Sequence, residues 1–338
     1  MHLSGYTHET GHHCGSTSLR NLSDFYGWGL SEAECFGLAS GLGFTYFITE
    51  EPPYRAFFGR PVWLESAFFA NLEIPHEERE GQSHEEAWAA VEADLDDGNP
   101  VMCFVDLFYL DYYNTDTHFS PHTVLLVGYD DESVQISDSE FDEVQTLSRE
   151  QFDEAWTSQA MVPLARRHIV VTDPEPQASL EQAATQAIRT TAAYMQNPES
   201  APWSLGGVEA AHGLPGIRRF ADELPVFPDL GEFREITWTA RFAYQNVERR
   251  GTGGGTFRRL YAAFLASMAE QVPELDDSHG ERMSQIAADW TAVGEQLKAA
   301  SKAEDEADLR AQLTEIGDAV SAIATKEESL LTDLESLV

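Results

Sequence analysis

Cys14 stands in the stretch ETGHHCGSTSL (9–19), directly before what reads as a helix starting at Ser16 or Thr17. A thiol at a helix N-terminus meets unsatisfied backbone N–H groups and the positive end of the helix dipole, and both favour the thiolate. The backbone N–H of Cys14 is also placed to serve as one donor of an oxyanion hole. A thiolate nucleophile needs a base, and a hairpin further along the chain offers one. The segment TVLLVGYDDESVQISDS (123–139) reads as two apolar strands around a turn centred on Asp130–Asp131. Antiparallel pairing about that turn puts position 122 opposite 138 or 139, so His122 faces Asp138. Asp138 would hold one ring nitrogen and leave the other for the nucleophile. A carboxylate in that otherwise apolar strand would be costly to bury unpaired. Each residue alone has a bland reading: a small buried cysteine, a satisfied core histidine, a hairpin cap. Together, in the order Cys, His, Asp, they favour nucleophilic catalysis.

Other patterns compete for attention. HETGH (8–12) is a literal HExxH, but zinc chemistry needs both histidines one turn apart on a helix, and no apolar period surrounds this string. His118 and His122 also have ligand-like spacing, with Pro121 between them arguing against a helix. No metal site is expected. RRGTGGGTFRR (249–259) lacks the strand a dinucleotide loop requires and is not a P-loop. Its simplest role is a helix–helix connection. Its arginines 249, 250, 258 and 259 and its glycine amides make Arg250, Gly253 and Gly254 candidates for binding a phosphate or carboxylate. Gly37, Gly41 and Gly43 allow a tight turn or close backbone approach, which would suit Gly41 and Gly43 to a cleft wall. The polar, aromatic loop leading into His122 offers Tyr112, Tyr113 and Asn114 as substrate-facing candidates.

The elements that must position these residues alternate helix and strand in the first half. SEAE (31–34) and SHEE (83–86) are capping-box patterns, SREQFDEAW (148–156) opens another helix, VMCFVDLF (101–108) reads as a buried strand and RHIVVT (167–172) as the last strand. TDPEPQ (172–177) reads as a linker. Beyond it the pattern is helical at 179–196, 232–250, 256–271 and about 281–336, with a Pro/Gly-rich interruption at 197–231. The expected architecture is α+β: a catalytic domain with an antiparallel sheet over 1–172, followed by an all-helical domain over 178–338. The apolar spacing of the last helices would let them pack on their own domain or support a homo-oligomer.

Composition sets bounds. With 338 residues, 42% of them hydrophobic and 11% aromatic, the chain is long enough for two cores. Cys14, Cys35 and Cys103 form neither a disulfide framework nor a CxxC site, and the last two read as core residues. No apolar run spans a bilayer and no signal peptide is recognisable, so a cytoplasmic protein without membrane partners is expected. Acidic residues number 58 against 21 basic ones, only three of which are lysines, for a net charge of −37. Such a balance suits a protein adapted to high salt and argues against nucleic-acid binding.

Three stretches, HHCGSTSLRNLSDFYG, SEAECFGLASGLGFTY and DLFYLDYYNTDTHFSPHTVLLVGYDD, resemble the N-terminal domain of the butirosin biosynthesis protein H family, over about the first 170 residues. The remainder is similar to the helical domain often found after it. The resemblance implies a papain-like cysteine fold related to bacteriocin leader peptidases. It also implies an acyltransferase that takes an acyl chain from a carrier-protein phosphopantetheine thioester, or a CoA-type thioester, and delivers it to an amine. Cys14 would carry the acyl group, His122 would act as base and then acid, and Asp138 would orient it. No cofactor is implied beyond that thioester donor. The leader peptidases carry a glutamine six residues before the cysteine; here that position is His8, so His8, His12 or a backbone amide would complete the oxyanion hole. A peptidase or amidase of the same fold, and a non-catalytic binding module, are the alternatives.

Overall fold

Helix α1 (Cys14–Tyr26) starts two residues before Ser16, because the histidine ahead of Cys14 caps it, and it stops at Gly27, whose φ of 77° closes the last turn. The structure, a computed structural model, describes residues 1–160, 162–200 and 208–337. In chain order there follow α2 (Glu32–Leu38), β1 (Thr45–Ile48), β2 (Arg55–Phe58), α3 (Leu64–Asn71), β3 (His76–Arg79), α4 (His84–Asp96), β4 (Val101–Val105), β5 (His122–Tyr129), β6 (Ser133–Ser137), β7 (Gln145–Ser148), α5 (Arg149–Trp156) and β8 (His168–Val171). The remainder holds α6 (Leu180–Gln196), β9 (Glu209–His212), α7 (Gly213–Glu223), α8 (Phe233–Glu248), α9 (Arg258–Met268), α10 (Asp277–Ala300) and α11 (Glu306–Leu337).

The chain divides into two units, 1–35 with 72–178, and 36–71 with 179–338. The first is α+β. Its sheet is antiparallel in the order β3-β8-β4-β5-β6-β7, and α1 packs on β5. β4 and the first seven residues of β5 are buried throughout, as continuous apolar runs require. α4 carries the expected capping box between Ser83 and Glu86, and Ser148 caps α5. The β5–β6 hairpin turns more widely than a two-residue loop. The Asp130 N–H bonds the Ser133 carbonyl, and the register shifts between Leu126 and Gly128. Extending the pair Leu125↔Ser137 sets 122 opposite 140, rather than 138 or 139.

The second unit is helical with one small sheet, β2-β1-β9. Residues 36–71, which the sequence reading put in the first domain, belong here because β1 pairs with β9, Thr45 opposite His212. The segment 197–231, expected to be irregular, contains β9 and α7; its residues 201–207 lie outside the described residues. The stretch 281–336 is two helices that break at 301–305, and the apolar stripe of α11, from Leu309 through Val320 to Leu334, is buried against α6, α7 and α10. That stripe is therefore satisfied inside its own unit. Among the described residues no helix is long and apolar enough to cross a membrane.

Candidate active site

Cys14 occupies the first position of α1. In the first turn, the Ser16 N–H is taken by the His13 ring and the Thr17 N–H by the His13 carbonyl. The N–H groups of Cys14 and Gly15 precede any intrahelical acceptor and stay available to an oxyanion. The turn before the helix is fastened from outside. The Glu32 carboxylate accepts from the backbone N–H groups of His12 and His13 at 2.9–3.1 Å and from the hydroxyls of Ser16 and Thr17 at 3.0 and 3.1 Å. Gly11 is required in this turn: a Cβ there would lie 2.1 Å from the Thr17 hydroxyl oxygen.

His122 begins β5, 4% exposed, and its Nε2 lies 2.9 Å from Oδ2 of Asp138, which is fully buried just past the end of β6. Nε2 is thus engaged by the carboxylate, and the same ring also interacts with the Cys14 thiol. Burial by itself pushes thiols up, as it does for the fully buried Cys35 and Cys103. At Cys14 burial pushes the same way, yet His13 and His122 outweigh it and hold the thiol well below its ordinary range. For His122, burial opposes the charge, but Asp138 and the thiol prevail and push the imidazole up to about 10. Asp138 is in turn held below the usual carboxylate range: burial is overcome by the His122 charge and by donors around it. The arrangement suits a thiolate–imidazolium pair backed by a carboxylate, able to attack a carbonyl and protonate a leaving group.

Residues 13–139 match the family described as butirosin biosynthesis protein H, N-terminal, a span that opens at His13 and closes one residue after Asp138. Residues 150–334, more than half of the chain, match the domain of unknown function DUF4872. The chain belongs to the DUF4872 family. No curated protein matches it. Among solved structures, a C39-like peptidase from Bacillus anthracis aligns at 19% identity and a TM-score of 0.36, over 52% of this chain and 98% of that one.

The other candidates of this DUF4872 protein fall in different places. Tyr112 and Tyr113 are tied to the carboxylate: their hydroxyls donate to the two oxygens of Asp138, each at 3.0 Å, and the Tyr113 oxygen is 3.3 Å from His122 Nε2. Phe141 wedges edge-on against both rings. Asn114 is exposed and ends this short turn with φ 47°. His8 has no N–H for an oxyanion, since its ring nitrogens bond the Ser137 hydroxyl at 2.7 Å and the Phe141 carbonyl at 2.6 Å. His12 is exposed, and residues 8–12 are not helical, so the HExxH geometry is absent. His118 belongs to a different carboxylate. Its Nδ1 is 2.8 Å from Asp106, which also accepts from Ser158 and from two backbone N–H groups and so braces the loop before His122.

The glycine–arginine loop holds its own anions. Arg258, fully buried, pairs with the equally buried Glu327 at 2.8 and 2.9 Å and donates to the carbonyls of Gly43 and Thr256. The Gly254 N–H bonds the Thr252 hydroxyl and the Gly255 N–H bonds Glu248, while Gly253 adopts φ 64°. Arg250 stacks on Phe242 and donates to Gln245. Gly41 turns against the Phe36 carbonyl, 2.5 Å from where its Cβ would stand, and Gly43 bonds Gly59. These residues belong to the second unit, where the partners just named lie within the protein. Among residues that the sequence did not single out, His13 and Glu140 act on the thiol and Glu32 holds the turn before it. Glu140 is an exposed carboxylate pushed up by partial burial and by the charges of Asp138 and Cys14.

Proposed function

We propose that this protein is a cysteine-dependent acyltransferase. The observation that carries the reading is the buried line Cys14–His122–Asp138, in which the thiol is held down and the imidazole up. The Cys14 thiolate attacks the carbonyl carbon of an acyl thioester, and the carbonyl electron pair moves to oxygen. Collapse expels the donor thiolate, which takes the proton from His122, and leaves an S-acyl Cys14. An amine then attacks that carbonyl, His122 accepts the amine proton, and the Cys14 thiolate leaves as the amide forms.

A thioester donor of carrier-protein or CoA type and an amine acceptor follow from the family likeness in the N-terminal region. The burial of the thiol, 8% exposed, supports transfer by limiting water at the acyl-enzyme. Hydrolysis of an amide or peptide on the same residues is the second reading, favoured by the same nucleophile–base pair.

Incubation with a short acyl thioester followed by intact-mass measurement tests the reading. The expected result is one acyl adduct that Cys14→Ala lacks. An adduct that persists in Cys14→Ala overturns the assignment. Turnover accelerated by added amines marks transfer; indifference to amines marks hydrolysis.

A further inference from the structure

The residue before the nucleophile has an unusual task. Helix N-caps are ordinarily Ser, Thr, Asp or Asn, whose short oxygen accepts an N–H of the first turn. Here the cap is His13, 4% exposed, with Nδ1 accepting from the Ser16 N–H at 3.2 Å. A ring nitrogen that accepts carries no proton, so the neutral ring holds its proton on Nε2. That nitrogen lies 3.9 Å from the Cys14 sulfur. The cap thus sets both tautomer and direction. Protonating Nδ1 would set one N–H against another and open the first turn of α1. A serine would cap as well but would present nothing to the sulfur.

We propose that His13 is a second catalytic histidine, a standing N–H donor that never takes the thiol proton. In the resting enzyme its Nε2–H stabilises the Cys14 thiolate opposite His122. When the thiolate has added to the carbonyl, the negative charge moves from sulfur to oxygen, and the Nε2–H joins the backbone N–H groups at the start of α1 as a side-chain oxyanion donor. His8 cannot fill that place, because both its ring nitrogens are engaged. The division of labour is electrostatic: His122 exchanges protons, and His13 supplies a fixed dipole beside the buried sulfur. This role rests on Cys14 being the acyl-carrying nucleophile.

The test uses His13→Ser and His13→Asn, which both keep an N-cap acceptor, in the full chain. Carboxamidomethylation of Cys14 by iodoacetamide is followed across pH by peptide mass, beside the rate of acyl-adduct formation from a short acyl thioester. The expected result is a thermal midpoint near that of the wild type and an alkylation midpoint raised by about one pH unit or more. Adduct formation should slow about 10²- to 10³-fold, as for loss of one oxyanion donor. Unchanged alkylation and acylation in both variants overturn the role of His13. A wild-type thiol that titrates like an ordinary one and takes no acyl group defeats the underlying acyltransferase reading instead. Ring ¹⁵N shifts, assigned through the variants, give an independent check: a proton on Nε2 with Nδ1 bare supports the proposal, and a proton on Nδ1 overturns it.

Discussion

His122 and Asp138 meet through a 2.9 Å hydrogen bond from Nε2 to Oδ2, with 4% of the histidine and none of the aspartate exposed. At that burial the carboxylate does more than orient the ring. It makes a charged imidazole tolerable where burial alone would keep it neutral.

Replacing the carboxylate without changing its shape separates these effects. Asp138→Asn should fold, because Tyr112 and Tyr113 can still donate to the remaining oxygen. It should lose about 10³- to 10⁴-fold in acyl-adduct formation, as when a supporting aspartate is replaced in a Ser-His-Asp site. Single-turnover rates with an acyl thioester measure this.

The two shifts within the nucleophile pair predict a broad plateau with pH. Activity should rise as Cys14 loses its proton, well below the ~8.5 of a free thiol. It should fall as His122 loses its own near 10, because the leaving thiolate then lacks a proton donor. Both limbs belong to the coupled pair. A pH–rate profile rising only through the ordinary thiol range would contradict the pairing. In His122→Ala the alkylation midpoint of Cys14 should move upward.

Tyr113→Phe removes a donor from a buried, charged acceptor. The expected cost at neutral pH is about 1.5–3 kcal/mol, typical of a hydrogen bond to an ionised group. Asp138 has a depressed folded value, so its contribution is present above the unfolded carboxylate range and disappears as pH falls through the folded one. Losing the phenol raises that folded value. Acid unfolding of Tyr113→Phe should therefore begin at a higher pH than in the wild type, which circular dichroism across an acid titration reads directly.

In the second unit, Glu327 is the shared acceptor of Arg258 and of the Trp290 indole N–H, all buried. Glu327→Ala leaves a buried guanidinium unpaired and should cost about 3–5 kcal/mol in a denaturant titration. The double variant Arg258→Met, Glu327→Leu should recover most of that loss, because both buried charges are removed together.

Local chemistry made much of the first unit legible in advance. Ser83 and Glu86 announced α4, Ser148 announced α5, and Gly27 ended α1, since capping acts over three or four residues. The meeting of His122 with Asp138 survived a misjudged register. Asp138 lies past the strand end, where the chain turns with the Phe141 N–H on the Asp138 carbonyl and the side chain swings back to the ring. What escaped was set by distant partners. Residues 36–71 join the second unit through pairing of β1 with a strand more than 160 positions later. The glycine–arginine loop looked like an anion trap because its real counter-ion, Glu327, is 69 residues from Arg258. The bonds from Tyr112 and Tyr113 to Asp138 were not legible, because nothing local shows a carboxylate 25 or 26 residues on within reach of their hydroxyls. His13 was overlooked because a histidine is not the residue expected to cap a helix.

The segment leading to Cys14 has a mechanical consequence. The Leu3 N–H bonds the Val127 carbonyl, His8 bridges Ser137 and Phe141, and the Gly11 N–H bonds the Ser139 carbonyl. These ties lash the chain ahead of the nucleophile across the hairpin that carries both the base and its carboxylate. The spacing of sulfur and imidazole is therefore governed from upstream of the cysteine as much as by the helix it begins. A single proteolytic nick within residues 4–12 would leave all three side chains chemically intact and still loosen their spacing, a change that a count of free thiols would not detect.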